Sequence, residues 1–266
     1  MAERARGGGS AGQAAGAGLA AGAGQAAGAG QAAGAGRVMG TGRVESTGEV
    51  GAAGAGGASR GAISTVVFDI GGVLLEWDPR HVYREVFDDE AEMERFLADV
   101  CSREWHEDND RGVRYAESCA ALAARFPEYE REIRLWGERT EDMVAGPIEG
   151  TVRLLAELQA AGVPCYGLTN MEAETYPLRY ERFDFLRALD GTVVSSEEGV
   201  IKPDPEIFRR LLDRFGLVAS QTVFVDDSER NVDAARALGM VAVRFRSPSQ
   251  LRAELVALGL PLAARG

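Results

Sequence analysis

From residue 63 onward the chain alternates short, unbroken apolar runs with longer stretches whose apolar positions recur every three or four residues. TVVFD (65–69), VPCYGLTN (163–170), GTVVSS (191–196), TVFVDD (222–227) and MVAVRF (240–245) have the length and content of strands. Runs of this kind, rather than strict alternation, are expected of strands covered on both faces, as in parallel sheets. Helical spacing marks TVRLLAELQAAG (151–162), DPEIFRRLLDRFG (204–216) and SERNVDAARALG (228–239). The second of these carries its own start and stop signals, with Asp204 as N-cap, Pro205 at the first helical position and Gly216 as terminator. Strands alternating with helices predict an α/β fold, a doubly wound parallel sheet with helices on both faces.

One interval breaks the alternation. Between the first strand and the helix at 151 the pattern is helical throughout, in DPRHVYREVF, EAEMERFLADV, VRYAESCAALAARF and EYEREIRLWGERTEDMV. That length exceeds any ordinary crossover and predicts an inserted α-helical domain over 78–145, with the core formed by 63–77 and 146–262. The insertion leaves the sheet just after the strand that ends in Asp69. It therefore belongs above the carboxyl edge, where open α/β sheets bind their ligands.

Residues 1–62 follow another rule. They hold 20 of the 34 glycines, recurring every six residues from Gly12 to Gly54, in a background of alanine without any aromatic residue. Such a stretch buries too little surface to offset its ordering entropy and is expected to be a disordered tail. It lacks the continuous apolar core of a secretory signal; Met39 is an alternative start. Its three acids and five arginines sum to +2, so the remainder carries −14 of the chain's net −12. That acidity argues against a nucleic-acid backbone as partner. No apolar run approaches the roughly 18–20 residues of a membrane span. Cys101, Cys119 and Cys165 are odd in number and widely spaced, the pattern of reduced core thiols in a cytosolic protein. Monomer and homodimer are both compatible with the sequence.

The candidate chemistry sits at the strand ends. Asp69 closes a buried-looking strand, and an ionised carboxylate there is costly unless a cation or a reaction compensates it. The glycines after it let the backbone turn tightly and bring its N–H groups close to a ligand. Asp226 and Asp227 close a second strand as adjacent acids that repel without a counter-ion, and oxygen ligands of this kind suit Mg²⁺. Lys202, in IKPDPEIF (201–208), is the chain's single lysine among 28 arginines. A compact ammonium on a flexible stem cannot be exchanged for a planar guanidinium in a tight anion site. GLTN (167–170) ends in Thr169 and Asn170, a hydroxyl and a turn able to hold a phosphate oxygen. The plainer readings are a turn aspartate at 69, an N-capping pair at 226–227, a chance lysine and a Thr-Asn turn. Their coincidence along one sheet edge favours the chemical reading.

In this order, FDIGGV, LTN, KPDPEIF and VFVDDSERN resemble the four motifs of the haloacid dehalogenase (HAD) superfamily, and the insertion resembles its helical cap. The first motif is similar to that of phosphatases with an FDxGxV-type pattern, α-glucose-1-phosphate phosphatases among them. The resemblance implies Asp69 as the nucleophile of an aspartyl-phosphate. It implies Thr169, Asn170, Lys202 and the backbone at Ile70 and Gly71 as binders of the phosphoryl group. It further implies Mg²⁺ held by Asp69, the Gly71 carbonyl, Asp226 and Asp227. The expected activity is hydrolysis of small phosphomonoesters, sugar phosphates included.

The chain departs from the phosphatase pattern at Gly71, where a second aspartate usually serves as general acid. General acid catalysis is worth about 10²–10⁴-fold. Two alternatives use that gap: a metal-independent 2-haloacid dehalogenase, whose subfamily also lacks the second aspartate, and a catalytically weak binding protein. REWHEDNDRG (103–112) offers His106, Glu107 and Asp108 as substitute donors, although the sequence reads more simply as a solvated acidic turn between cap helices. Trp77 and His81 lie near the entry to the cap, a place from which one of them can line the pocket, and read more simply as core or hinge residues.

Overall fold

The computed structural model describes residues 62–263; residues 1–61 of the Gly/Ala-rich segment lie outside them. The described strands are β1 (Thr65–Phe68), β2 (Leu75–Trp77), β3 (Val144–Pro147), β4 (Cys165–Thr169), β5 (Gly191–Val194), β6 (Thr222–Asp226) and β7 (Val241–Arg244). Five of them form a parallel sheet in the order β5-β4-β1-β6-β7. β1 and β6 are buried along their whole length, which is why their sequences run apolar without alternation.

The segment between β1 and β3 forms α1 (Arg80–Tyr83), α2 (Glu90–Arg95), α3 (Arg103–Asp110), α4 (Tyr115–Arg125) and α5 (Glu130–Glu138). α2 widens into a π-helical turn over Phe96–Val100. These helices bury an apolar cluster of their own, with Tyr83, Phe96, Leu122, Ile133, Trp136 and Met143 at its centre. The short strands β2 and β3 pair antiparallel at the root of the insert. At three and four residues, with Gly146 and Pro147 in the second, they gave no strand signal. Trp77 packs against both the insert's cluster and the sheet's.

Beyond β3 come α6 (Glu149–Ala160), α7 (Tyr176–Arg182), α8 (Asp184–Arg187), α9 (Ser195–Glu198), α10 (Pro205–Phe215), α11 (Glu229–Ala237) and α12 (Pro248–Ala257). Val66 and Phe68 of β1 face Leu154, Leu155 and Leu158 of α6 and Leu251 and Leu255 of α12. Val67, pointing the other way, joins Ile207, Phe208 and Leu211 of α10 and Val232 and Ala235 of α11. The sheet is thus covered on both faces. α10 has the expected caps: Asp204 accepts from the Glu206 amide at 2.8 Å, and Gly216 closes the helix at φ +63°.

The run 191–196 is shorter as a strand than its sequence suggests. β5 ends at Val194 and the chain turns at once into α9. Ser195 explains the change: fully buried, its hydroxyl donates to the Asp110 carbonyl at 2.6 Å and accepts the Met171 amide at 3.0 Å. A continued strand could not tie α3 to the sheet edge in this way. Among the described residues no helix is long and apolar enough to cross a membrane. The three cysteines are buried free thiols.

Candidate active site

Sheet register assembles the site. Phe68 pairs with Val225 of β6, so the next residues, Asp69 and Asp226, emerge side by side at the carboxyl edge. Phe68 also pairs with Gly167 of β4, which brings Thr169 and Asn170 to the same edge. Lys202 enters this edge from the loop before α10. Its backbone is clamped by Asn170, whose Oδ1 accepts the Lys202 amide at 2.8 Å and whose Nδ2 donates to the Lys202 carbonyl at 3.0 Å.

The Lys202 ammonium is buried and fully engaged. It lies 2.8 Å from Asp69 Oδ2 and 2.8 Å from Asp226 Oδ2, and donates to the Leu168 carbonyl at 2.9 Å. Burial works against its charge, yet Asp226 and Asp69 hold it above the usual lysine range. Asp69 shows the opposite balance: burial lifts its carboxyl well above the usual carboxylate range, Lys202 pulls it down, and Asp226 adds to the rise. Its Oδ1 accepts the Ile70 amide at 2.7 Å. Asp226 is fixed by Asn231 Nδ2 at 3.0 and 3.1 Å and by the Ser228 amide at 2.8 Å, so both of its oxygens have partners.

Asp227 lies on the open side of this pair. Carboxylate oxygens of Asp69, Asp226 and Asp227 lie within 4.8 Å of one another. Three acids around one ammonium leave excess negative charge, and an all-oxygen donor set of this geometry fits a hard divalent cation such as Mg²⁺. Gly72 makes the approach of Asp227 possible: at φ +73°, a β-carbon there would lie 2.7 Å from Asp227 Oδ2. At Gly71 the same construction meets nothing within 4 Å. Gly72→Ala is therefore expected to lower stability by about 1 kcal/mol or more, whereas Gly71→Ala leaves it nearly unchanged. Thermal denaturation of the two variants side by side checks the difference; equal melting temperatures would remove the argument.

A cavity of about 770 Å³ opens over the edge, lined by Asp69, Gly71, Asn170, Lys202 and Asp227 on the sheet side. Ile70 and Thr169 are buried, and the Thr169 hydroxyl donates to the Asn170 carbonyl at 3.4 Å. Asp226 is likewise buried and reaches the site through Lys202.

The insert supplies the opposite wall, and here the sequence reading needs correction. Residues 103–110 are not a solvated turn but helix α3, started by Ser102, whose hydroxyl accepts the Trp105 amide at 3.4 Å. Glu107 pairs with Arg230 of the core, while Asp108 stays at the surface beside Arg111. His106 stacks on Trp77, with ring centroids 5.4 Å apart and planes 13° from parallel. Trp77 is thus a cavity wall rather than only core. His81 lies at the root of the insert, its Nδ1 3.3 Å from the Met143 carbonyl.

Sequence reasoning missed the partners of His106. Asp110 and Glu172 are both buried carboxylates, with oxygens 3.9 Å and 3.3 Å from His106 Nε2. Burial pushes Asp110 up to about 7. For Glu172 burial is outweighed: His106 and Arg179 nearby, with hydrogen bonds from Tyr115 and Thr175, hold it below the usual range. Neither residue sits in a recognisable motif. The available signal was that REWHEDND places one of the chain's two histidines among acids on a stretch of helical length.

Residues 63–239 match the family model of haloacid dehalogenase-like hydrolases. The chain is 31% identical over 181 residues to the sesquiterpene phosphatase astK of Aspergillus oryzae, covering 67% of this chain and 88% of that protein. It resembles a HAD family enzyme of Bacteroides thetaiotaomicron solved with magnesium and inorganic phosphate: TM-score 0.53 at 20% identity, over 70% of this chain and 96% of that one. It also resembles the L-2-haloacid dehalogenase of Xanthobacter autotrophicus with chloropropionic acid covalently bound: TM-score 0.53 at 19% identity, over 75% and 85% of the two chains. At such identities the two structures speak for the fold alone. Joined to the four motifs gathered at this sheet edge, the family match leads to one conclusion: the chain belongs to the haloacid dehalogenase-like hydrolases.

Proposed function

We infer that the protein is a Mg²⁺-dependent phosphatase of small phosphomonoesters. The observation that carries this reading is the contact of Lys202 with both Asp69 and Asp226, with Asp227 beside them at the cavity wall. A phosphoryl group entering there meets a fixed ammonium and a carboxylate already oriented for attack. An Asp69 oxygen bonds to phosphorus as the ester oxygen departs, forming an aspartyl-phosphate that water then cleaves to regenerate the carboxylate. Lys202 stays charged throughout and offsets the negative charge gathered on the transferring group. Asp226, anchored by Asn231 and the Ser228 amide, keeps Lys202 in place. Asp69, Asp226, Asp227 and the Gly71 carbonyl would hold the Mg²⁺, which when bound neutralises phosphoryl charge.

The cavity exceeds what a phosphate alone requires, and the insert, acting as a cap, supplies Leu97, His106, Asp110 and Trp136 to its walls. That mixture of aromatic and polar surface suits an organic leaving group such as a sugar, or the sesquiterpene for which the Aspergillus relative is named. The buried unpaired thiols fit a reducing compartment. A 2-haloacid dehalogenase would use the same nucleophile but has no need of adjacent acids at 226 and 227.

The test is hydrolysis of p-nitrophenyl phosphate with Mg²⁺ and again after EDTA. Activity is expected with the metal and lost with the chelator, and added Mg²⁺ should raise the melting temperature, because a ligand that binds only the folded state stabilises it. Activity indifferent to EDTA, or chloride release from 2-chloropropionate, points to the dehalogenase. No turnover across a panel of phosphorylated metabolites leaves only a binding role.

A further inference from the structure

Gly71 leaves the leaving oxygen without a proton donor from the nucleophile loop, and the opposite wall holds a group able to serve. His106 is fixed on both sides. Its ring stacks on Trp77 and lies 5.3 Å from Trp136. Its Nε2 lies 3.3 Å from Glu172 Oε1, while its Nδ1 is shielded and has no hydrogen-bond partner among the described residues. Because Nδ1 is shielded, Nε2, on the side of Glu172, is the nitrogen left to exchange a proton with a group in the cavity.

The surroundings tie this ring to the reaction centre. Leu75, two residues before Trp77, bridges to Gly71 beside the nucleophile. Glu172 lies two residues beyond Asn170, which clamps Lys202. His106, Glu172, Asp69 and Lys202 line one cavity. Glu172 is held in turn by the Tyr115 hydroxyl and by the Thr175 hydroxyl at 2.7 Å. A proton-transfer group oriented by a fixed carboxylate is a recurrent catalytic arrangement. His106, Asp110 and Glu172 could also be viewed as a cation site, but the positive charge of Arg179 beside Glu172 opposes a second ion there.

We propose that His106 is the catalytic acid and base of this hydrolase, with Glu172 as its positioning residue; the proposal rests on the phosphatase reading. As the Asp69–phosphorus bond forms and the ester phosphorus–oxygen bond breaks, the leaving oxygen takes a proton from the His106 imidazolium. The neutral imidazole then takes a proton from water, whose oxygen bonds to phosphorus as the Asp69–phosphorus bond breaks. Inorganic phosphate leaves, and His106 is again protonated. Glu172 remains ionised throughout.

The experiment compares phenyl phosphate, whose leaving oxygen needs a proton, with p-nitrophenyl phosphate, whose leaving group departs readily as an anion. His106→Gln is expected to lower kcat/KM on phenyl phosphate by about 10²-fold or more while p-nitrophenyl phosphate stays within about tenfold. Adding Gly71→Asp, at a position where a β-carbon meets nothing within 4 Å, should restore much of the phenyl phosphate activity. Glu172→Gln should show the same selectivity more weakly, and it carries the test if His106→Gln does not fold. Equal losses on both esters, or none, in a folded variant of an active enzyme would overturn the role of His106 alone. A wild-type protein that hydrolyses neither ester would overturn the phosphatase reading and this proposal with it.

Discussion

Replacing Lys202 by methionine should abolish turnover and lower the melting temperature by roughly 10 °C at neutral pH. Methionine fills much the same volume, so packing against Phe224, whose ring centroid lies 5.6 Å from the ammonium, is largely kept. What goes is the charge between Asp69 and Asp226, each 2.8 Å from it. Breaking a buried ion pair by removing one partner costs about 3–5 kcal/mol, because the remaining charges stay buried without compensation. The pH dependence has a definite sign. The folded pKa of Lys202 is raised, so its stabilising contribution is complete below the ordinary lysine pKa and fades only as pH rises through the folded value. In the methionine variant the deficit should shrink on acidification towards pH 5, because Asp69, already lifted by burial, takes up a proton and relieves the strain. Thermal unfolding at pH 7 and pH 5 reads both effects. A variant as stable as wild type at both values would show that the ammonium does not hold this edge together. Lys202→Arg should be inactive as well, since a guanidinium cannot occupy the three-way contact with two carboxylates and the Leu168 carbonyl.

The legible and illegible parts of the molecule separate by where chemistry meets pattern. Asp69, Asp226 and Lys202 stood out because each interrupts an apolar run or a compositional habit, and parallel register then brings the two strand ends together. α10 was legible down to its caps because Asp204, Pro205 and Gly216 act locally. α3 was not, because the side chains it turns inward include Asn109 and Asp110, both polar. A scan for apolar periodicity sees no face in REWHEDND, yet Asn109 is buried by bonds to the Val113 carbonyl and the Ser118 hydroxyl. Glu172 was hidden for a related reason. Its burial depends on Tyr115 and Thr175, one of them 57 residues away in sequence. Trp77 looked like ordinary core until the fold set it between two apolar clusters and against the His106 ring. Polar residues buried for a purpose leave no periodic trace; only tertiary contacts reveal them.

Asp69→Asn should divide activity from stability where Lys202→Met joins them. On the phosphatase reading the amide removes the nucleophile, and turnover is expected to fall by about 10⁴–10⁶-fold. The fold should not suffer in proportion. The folded pKa of Asp69 lies above its unfolded value, so its contribution to stability is present below the unfolded pKa and is lost as pH rises through the folded one. Ionisation of the carboxylate therefore works against the fold, and asparagine removes that burden, its one carbonyl accepting from Lys202 in place of the two bonds that the carboxylate accepts from Lys202 and the Ile70 amide. Measured in EDTA at pH 7, the variant should melt at or above the wild-type temperature, and wild type should gain more than the variant when the pH is lowered. A melting temperature that collapses as in Lys202→Met would mean that Lys202 depends on Asp69, rather than on the better anchored Asp226, for its counter-charge. Turnover above about a hundredth of wild type would place the attacking group elsewhere. The contrast between the two variants follows from position alone: Asp226 is held by Asn231 and the Ser228 amide and keeps the ammonium in place, leaving Asp69 strained, buried and available to react.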